Sequence, residues 1–183
     1  HHDINCHRYE QFLVETDEII LTPNWNISCE FNETVKWFDI SGNKNVKYLP
    51  VNVFEKFPNL TIYYAFNSSV MEVYKKNFYS AEKLQGLWLD HNEISFIENG
   101  SFDDLQSLKW LYLGFNKLTT LDAHIFDNLK PLVSLSLEKN QLTSLSTQLF
   151  QELHELKWIH LNGNPVSEQI TDEYFTSNKL LKY

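Results

Sequence analysis

A strict 24-residue period does most to narrow the folds open to this chain. Leucines stand at 84, 108, 132 and 156, and each opens the same kind of phrase. Leu84-Gln-Gly-Leu87-Trp-Leu89-Asp-His-Asn92 is followed by Leu108-Lys-Trp-Leu111-Tyr-Leu113-Gly-Phe-Asn116, a frame L-x-x-L-x-L-x-x-N-x-L kept without drift. A period of roughly 20–29 residues belongs to solenoids, whose unit is too small to bury its apolar face alone and does so against its neighbours.

The frame extends in both directions. Val35, Phe38, Ile40 and Asn43 open a first repeat, with one extra residue after Asn43. Leu60, Tyr63 and Ala65 open a second, with Ser68 in the Asn slot, and Leu156, Ile159, Leu161 and Asn164 open a sixth. The reading is therefore six repeats of 24–25 residues over 35–166. Positions 1, 4 and 6 of each frame point inward from a short parallel strand, and positions 3, 5 and 7 point outward. The Asn column (Asn43, Asn92, Asn116, Asn140, Asn164) suits backbone groups that a turn leaves unpaired. Ser68 can do less of this, so the second repeat is expected to be looser. A column of Phe54, Phe78, Phe102, Phe126 and Phe150 is expected to stack as core on the convex side.

Both ends depart from the frame. The first turn of an array would expose its apolar end, so residues 3–34 read as an N-terminal cap, with strands expected at Glu18–Leu21 and Cys29–Phe31. Cys6 and Cys29 are the only two cysteines. They read as one disulfide that stabilises the cap by ~3 kcal/mol, with two free buried thiols as the alternative. Residues 167–183 read either as an irregular C-terminal end or as a further repeat cut short, with Leu181 where that repeat would open. Thr171-Asp172-Glu173 is placed to open a helical turn.

Composition removes several classes of function. A net charge of −9 argues against nucleic acid or an anionic membrane as partner. No apolar run is long enough to insert in a membrane. No nucleophile elbow, phosphate loop or zinc-protease helix motif occurs, so no enzyme, metal or cofactor is expected. Sequons at Asn26, Asn32, Asn59, Asn67 and Asn99 exceed the roughly two or three expected by chance. With the cysteine pair, they favour an extracellular, N-glycosylated chain.

The outward slots carry the candidate site. Slot 3 reads Trp37, Ile62, Gly86, Trp110, Ser134, Trp158; slot 5 reads Asp39, Tyr64, Trp88, Tyr112, Ser136, His160; slot 7 reads Ser41, Phe66, Asp90, Gly114, Glu138, Asn162. Four of the five tryptophans thus stand on the strand face. Neighbouring strands lie roughly 4.8 Å apart, so Tyr64, Phe66, Trp88, Trp110 and Tyr112 are expected to form one patch. Phe115 extends it, Trp37 and Trp158 stand further out, and Gly86 leaves room between Ile62 and Trp110. Such a patch either binds a partner or merely paves the sheet by cross-strand packing. Lysines precede Trp37, Trp110 and Trp158, and their stems are expected to lie over those indoles. A glycan on Asn67 is expected to lean outward and leave Trp88–Tyr112 open.

The frames resemble those of leucine-rich repeat proteins. Leu113-Gly-Phe-Asn116 and Leu137-Glu-Lys-Asn140-Gln-Leu142, with a cysteine-bearing cap, resemble secreted arthropod members, nearest the mosquito leucine-rich immune proteins of haemolymph. Toll-type receptor ectodomains and vertebrate extracellular members are more distant matches. The resemblance runs from Cys6 to about Leu161. It implies an α/β solenoid with a curved parallel sheet on the concave face and short helical, 3-10 and irregular turns on the convex face. It also implies extracellular recognition of innate-immune type. Some mosquito members bind complement-like proteins and carry a coiled coil after the repeats; no coiled coil occurs in this sequence. The expected function is binding of an extracellular protein partner through the aromatic face. The alternatives are a structural, adhesive or homodimeric module, and an inhibitor or decoy for a hydrolase or toxin.

Overall fold

The computed structural model describes residues 11–13, 24, 26–27 and 30–174. Its spine is a parallel sheet in the order β1-β2-β3-β5-β7-β8-β9. The strands are β1 (Gln11–Leu13), β2 (Trp37–Asp39), β3 (Ile62–Tyr64), β5 (Gly86–Trp88), β7 (Trp110–Tyr112), β8 (Ser134–Ser136) and β9 (Trp158–His160). From β2 onward each strand occupies slots 3–5 of its repeat, paired slot to slot, as in Trp37↔Ile62, Gly86↔Trp110 and Ser134↔Trp158. The 24-residue period thus translates directly into register.

β1 extends this sheet in parallel, with Phe12 opposite Phe38. The expected cap strand at Glu18–Leu21 lies outside the described residues, as do Cys6 and Cys29. Of the other expected strand, Glu30 and Phe31 are described and irregular. The backbone turns just after them, at Glu33 and Thr34, and the Asn32 N–H donates to the Lys56 carbonyl at 2.8 Å.

Inward slots 1, 4 and 6 form one continuous core, from Val35, Phe38 and Ile40 to Leu156, Ile159 and Leu161. The convex side returns through short turns: one α-helical turn, α1 (Val53–Lys56), and 3-10 turns at Lys75–Phe78, Ser167–Gln169 and Asp172–Tyr174. Phe54, Phe78, Phe102, Phe126 and Phe150 stack behind the sheet with centroids 6.0–6.4 Å apart. The last three rings are parallel within about 10°. The first pairs are tilted because Tyr63 reaches in among them, 6.2 Å from Phe54 and 6.0 Å from Phe78. A second parallel sheet pairs β4 (Glu72–Val73) with β6 (Phe96–Ile97), an element the leucine frame does not announce. There the Tyr74 hydroxyl donates to Glu72, and that bond is the main reason its phenol is pushed up to about 12.

Beyond the strands, the Asn column carries the turn. Asn116 Nδ2 donates to the carbonyls of Leu89 (2.9 Å) and Leu113 (3.1 Å), and its Oδ1 accepts the Ile94 N–H (2.9 Å). Asn92, Asn140 and Asn164 repeat this pattern one turn apart. Ser68 has a single O–H to give, which donates to Ile40 O at 2.9 Å with Phe66 O further off at 3.4 Å. The residue before each of these is left-handed: Gly42, Asn67, His91, Phe115, Lys139 and Gly163 have φ between 51° and 74°. That conformation lets the slot-8 N–H reach the next turn's slot-7 carbonyl, as Phe115 N does to Glu138 O at 2.8 Å. Left-handed backbone costs an ordinary residue roughly 1–2 kcal/mol, which the repeated bond and the Asn bridge offset.

Asn116→Ala leaves the buried Ile94 N–H without a partner and takes one of two amide donors from each of the Leu89 and Leu113 carbonyls, which Asn92 and Asn140 still bond, so a loss of roughly 2–3 kcal/mol is expected. Ser68→Ala, which removes one bond, should cost about 1 kcal/mol; equal urea midpoints for the two variants would refute the bridge. Tyr63 is buried with no partner for its hydroxyl, and burial holds its phenol well above the ordinary value. Tyr63→Phe should therefore leave stability unchanged or raise it by about 1 kcal/mol. The folded phenol stays protonated where an unfolded one, near 10.0, ionises. This contribution is thus present below that pH and lost as pH climbs toward the folded value. The Phe variant should lack that alkaline decline in pH-dependent unfolding.

Candidate functional site

Because consecutive strand residues point to opposite faces, slots 3, 5 and 7 share the concave surface. The register sets Tyr64, Trp88 and Tyr112 side by side in slot 5. Their rings form a ladder: Tyr64–Trp88 at 4.9 Å and 46°, Trp88–Tyr112 at 5.4 Å and 20°. Phe66 meets Tyr64 edge-on at 6.0 Å. Each ring covers its neighbour's face, so the ladder is half-buried without a partner.

Gly86 gives this ladder its shape. A Cβ there would lie 2.3 Å from Trp88 Cζ3 and 3.2 Å from Ile62 Cδ1. The room it leaves is filled by the indole of Trp88, which folds back along its own strand. The expected gap between Ile62 and Trp110 is therefore occupied.

The expected patch divides accordingly. Tyr64, Phe66, Trp88 and Tyr112 are joined by ring contacts. Trp110 shares their face but makes no ring contact with them, because its slot-3 neighbours are Gly86 and Ser134. Phe115 turns the corner in its left-handed conformation and stacks on His91 at 4.2 Å and 11°. Trp37 and Trp158 are exposed on the outer strands, at 46% and 44%. Lys36 and Lys109 do not lie over the indoles beside them, since adjacent strand residues diverge. A cation–π contact does form on the convex side, with Lys76 over Tyr74 at 4.8 Å.

The C-terminal half of the face is built differently. Ser134 and Ser136 occupy outward slots yet are buried, at 7% and 3%. Trp110 and Tyr112 rise on one side of them, Trp158 and His160 on the other. At the exit of the same strand, the stem of Glu138 lies beside Gly114, where a Cβ would lie 3.0 Å from Glu138 Cγ and 2.9 Å from Ser136 Oγ, and its Oε2 accepts from Asn162 Nδ2 at 3.3 Å. Asp90, on the other side of Gly114, holds His91 Nδ1 with Oδ2 at 2.9 Å, while its Oδ1 has no hydrogen-bond partner. Sequence reasoning did not single these residues out. The readable signal was two serines in the outward slots of one strand, flanked by aromatics on both neighbours.

Among the described residues, no cluster of His, Cys, Asp or Glu is placed to hold a metal ion. Nor is any helix there long and apolar enough to cross a membrane. A family model described as leucine rich repeat matches residues 65–118 and 106–166. None of the curated proteins matches the chain. Among solved structures, the crystal structure of a TLR13–ssRNA13 complex aligns with a TM-score of 0.63 at 24% identity, over 70% of this chain and 22% of that one. A leucine-rich repeat protein of Leptospira interrogans aligns at 0.58 and 23% identity, over 72% of this chain and 38% of its own. At such identities the likeness is one of fold, and the chain spans well under half of either protein.

Gly86→Ala tests the geometry of the ladder. The added methyl displaces the Trp88 ring, which should cost roughly 1–3 kcal/mol and change the near-UV circular dichroism of the stacked rings. An unaltered spectrum and midpoint would show that Trp88 does not rest on Gly86.

Proposed function

The chain belongs to the leucine-rich repeat family, and on that premise we propose that it is an extracellular recognition protein binding a protein partner through its concave aromatic face. Leucine-rich repeat folds are commonly protein-binding modules, and the strand face carries more large aromatics than the fold needs. The single observation that carries the reading is the ladder Tyr64–Trp88–Tyr112 with Phe66 on an otherwise open sheet. The inward leucines, the Phe stack and the Asn bridges hold the array without help from this face. Large aromatics outside it are costly to display and are the side chains that dominate binding hot spots.

Innate-immune recognition is the form we favour, from the resemblance to secreted arthropod proteins and the fold likeness to TLR13. That structure is a complex with RNA. Here no slot-3, -5 or -7 position of the described strands carries Lys or Arg, which leaves nothing on this face to neutralise a phosphate backbone. The extracellular assignment rests on the Cys6–Cys29 pair, proposed as the disulfide of a cap spanning 3–34, and on the five sequons. Asn26, Asn67 and Asn99 are exposed, whereas Asn59 is half-buried and donates to Glu33 O at 3.0 Å. Asn67 Oδ1 accepts from Lys44 Nζ at 3.0 Å, which aims the side chain at the preceding turn and a glycan away from Trp88.

Capture from extracellular fluid, comparing wild type with a Trp88→Ala/Tyr112→Ala double variant of matched fold, tests the site. A specific protein retained by wild type and reduced at least about tenfold by the variant is expected, in keeping with hot-spot truncation. Equal recovery with both would rule out the concave site.

A further inference from the structure

The rings of the concave ladder stand on edge. Trp88 and Tyr112 stack at 5.4 Å and 20°, and Tyr64 lies 4.9 Å from Trp88. The faces between them, on which a flat cation or a sugar ring would stack, are already filled. Among the described residues, Tyr64 Oη, Trp88 Nε1 and Tyr112 Oη find no hydrogen-bond partner. They are not shut off from water either, for the buried side-chain atoms without a partner there are Tyr63 Oη and Asp90 Oδ1. Trp88 turns its benzo edge onto Gly86, with Cζ3 and Cη2 at 2.3 and 2.7 Å from where a Cβ would lie. Its N–H edge is on the other side. The row therefore offers three free donors on apolar ring edges, which are the electropositive part of an aromatic ring. A ligand rich in acceptors and poor in N–H donors complements it.

The backbone limits how such a ligand can lie. β2, β3, β5, β7 and β8 are each paired on both sides, so a partner cannot join them as an added strand and must cross them. Neighbouring strands are roughly 4.8 Å apart, which puts Tyr64 and Tyr112, two strands apart, at about 9.6 Å. A polyproline II helix repeats every three residues, about 9.3 Å, and makes no internal hydrogen bonds, so its carbonyls stand free. One turn of it brings equivalent residues over Tyr64 and Tyr112. Proline has no N–H to leave stranded on a face of donors.

Charge marks one end of the row. Asp39 precedes Tyr64 in slot 5. Its Oδ1 accepts the Ser41 N–H at 2.8 Å and the Ser41 hydroxyl. Its Oδ2 has no partner among the described residues and is not buried. No outward slot of the described strands holds Lys or Arg to answer it. From Asp39 to Tyr112 the row covers three strand spacings, roughly 14 Å, the length of about five polyproline II residues.

We propose that slot 5 from Asp39 to Tyr112 receives a proline-rich segment in the polyproline II conformation, lying across the strands. Its carbonyls accept from Tyr64, Trp88 and Tyr112, and a flanking basic residue pairs with Asp39. This rests on the concave-face reading and names the chemistry of the partner there.

The probe is a fluorescent peptide of nine prolines with an arginine at each end, titrated by anisotropy at physiological salt. One comparator replaces the prolines by glycine and serine, a second replaces the arginines by glutamate, and chitohexaose serves as competitor. Wild type should bind the proline–arginine peptide about tenfold more tightly than either comparator, since its backbone is preorganised and its charge complementary. Chitohexaose should not displace it. Tyr64→Phe/Tyr112→Phe keeps each ring and removes two hydroxyls that bond nothing in the protein, so it should fold as wild type and bind about tenfold more weakly. Asp39→Asn can still accept from Ser41; it should weaken binding about fivefold without weakening the glutamate peptide. Glu152→Gln removes the same charge on the convex side and should change binding less than about twofold. Equal binding of the glycine–serine peptide, equal losses from Asp39→Asn and Glu152→Gln, or undiminished binding by the double Phe variant would each overturn the proposal. Displacement by chitohexaose would overturn it too and assign the row to saccharides. The concave-face reading fails separately: if Trp88→Ala/Tyr112→Ala abolishes capture of a protein while the proline peptide does not bind, the face stands and the ligand class falls.

Discussion

A strand only three residues long ends almost as soon as it begins, and the structure depends on what satisfies the backbone just beyond it. In each regular turn, a slot-6 carbonyl is buried among leucines where water does not reach. The Asn amide answers two such carbonyls, its own and the preceding turn's, and takes an N–H in return, as Asn116 does with Leu89, Leu113 and Ile94. A buried carbonyl left alone costs about 1–3 kcal/mol, so an unbridged array would accumulate that cost at every turn. The bridge also ties turn to turn. It holds the residue before it left-handed even where that residue is His91, Phe115 or Lys139.

Once the turns are locked at the strand spacing, the face they present is set by what occupies three outward slots. Stacked rings on adjacent strands fall at contact distance without adjustment, which is why Tyr64, Trp88 and Tyr112 form a ladder. Small residues between ringed neighbours are buried by them, as Ser134 and Ser136 are. A solenoid thus quantises its surface: each column is a series of sites about 4.8 Å apart, and recognition is written by choosing large, small or charged residues in order. Glycines act in the same code. Gly86 makes room for a neighbouring indole, and Gly114 lets Glu138 and Ser136 lean across.

Much of this is legible in the residues themselves. The leucine period announced the parallel strands, separated inward from outward slots, and gave the Phe stack and the Asn column. The left-handed column was half-visible, since Gly42, Asn67 and Gly163 are residue types that adopt that conformation readily, but His91, Phe115 and Lys139 mask it. β1 at Gln11–Leu13 was missed because three residues without a leucine frame carry no periodic signal. The β4–β6 pair was missed because Glu72–Val73 and Phe96–Ile97 are too short to alternate visibly. For Lys36 and Lys109, the expected lysine–indole stacking ignored the direction in which successive strand residues point.

The sequence alone determined the architecture, because a repeated pattern of burial has one economical solution and every turn states it again. It also determined which side chains face outward, because the period of a strand is two. Tertiary structure decided how those side chains use the space. Trp88 lies over Gly86, Trp110 stands apart, Phe115 stacks on His91, and two outward serines are buried. Those outcomes depend on rotamers and on which ring reaches a neighbour first, and such choices are made between turns, where no single repeat holds the information.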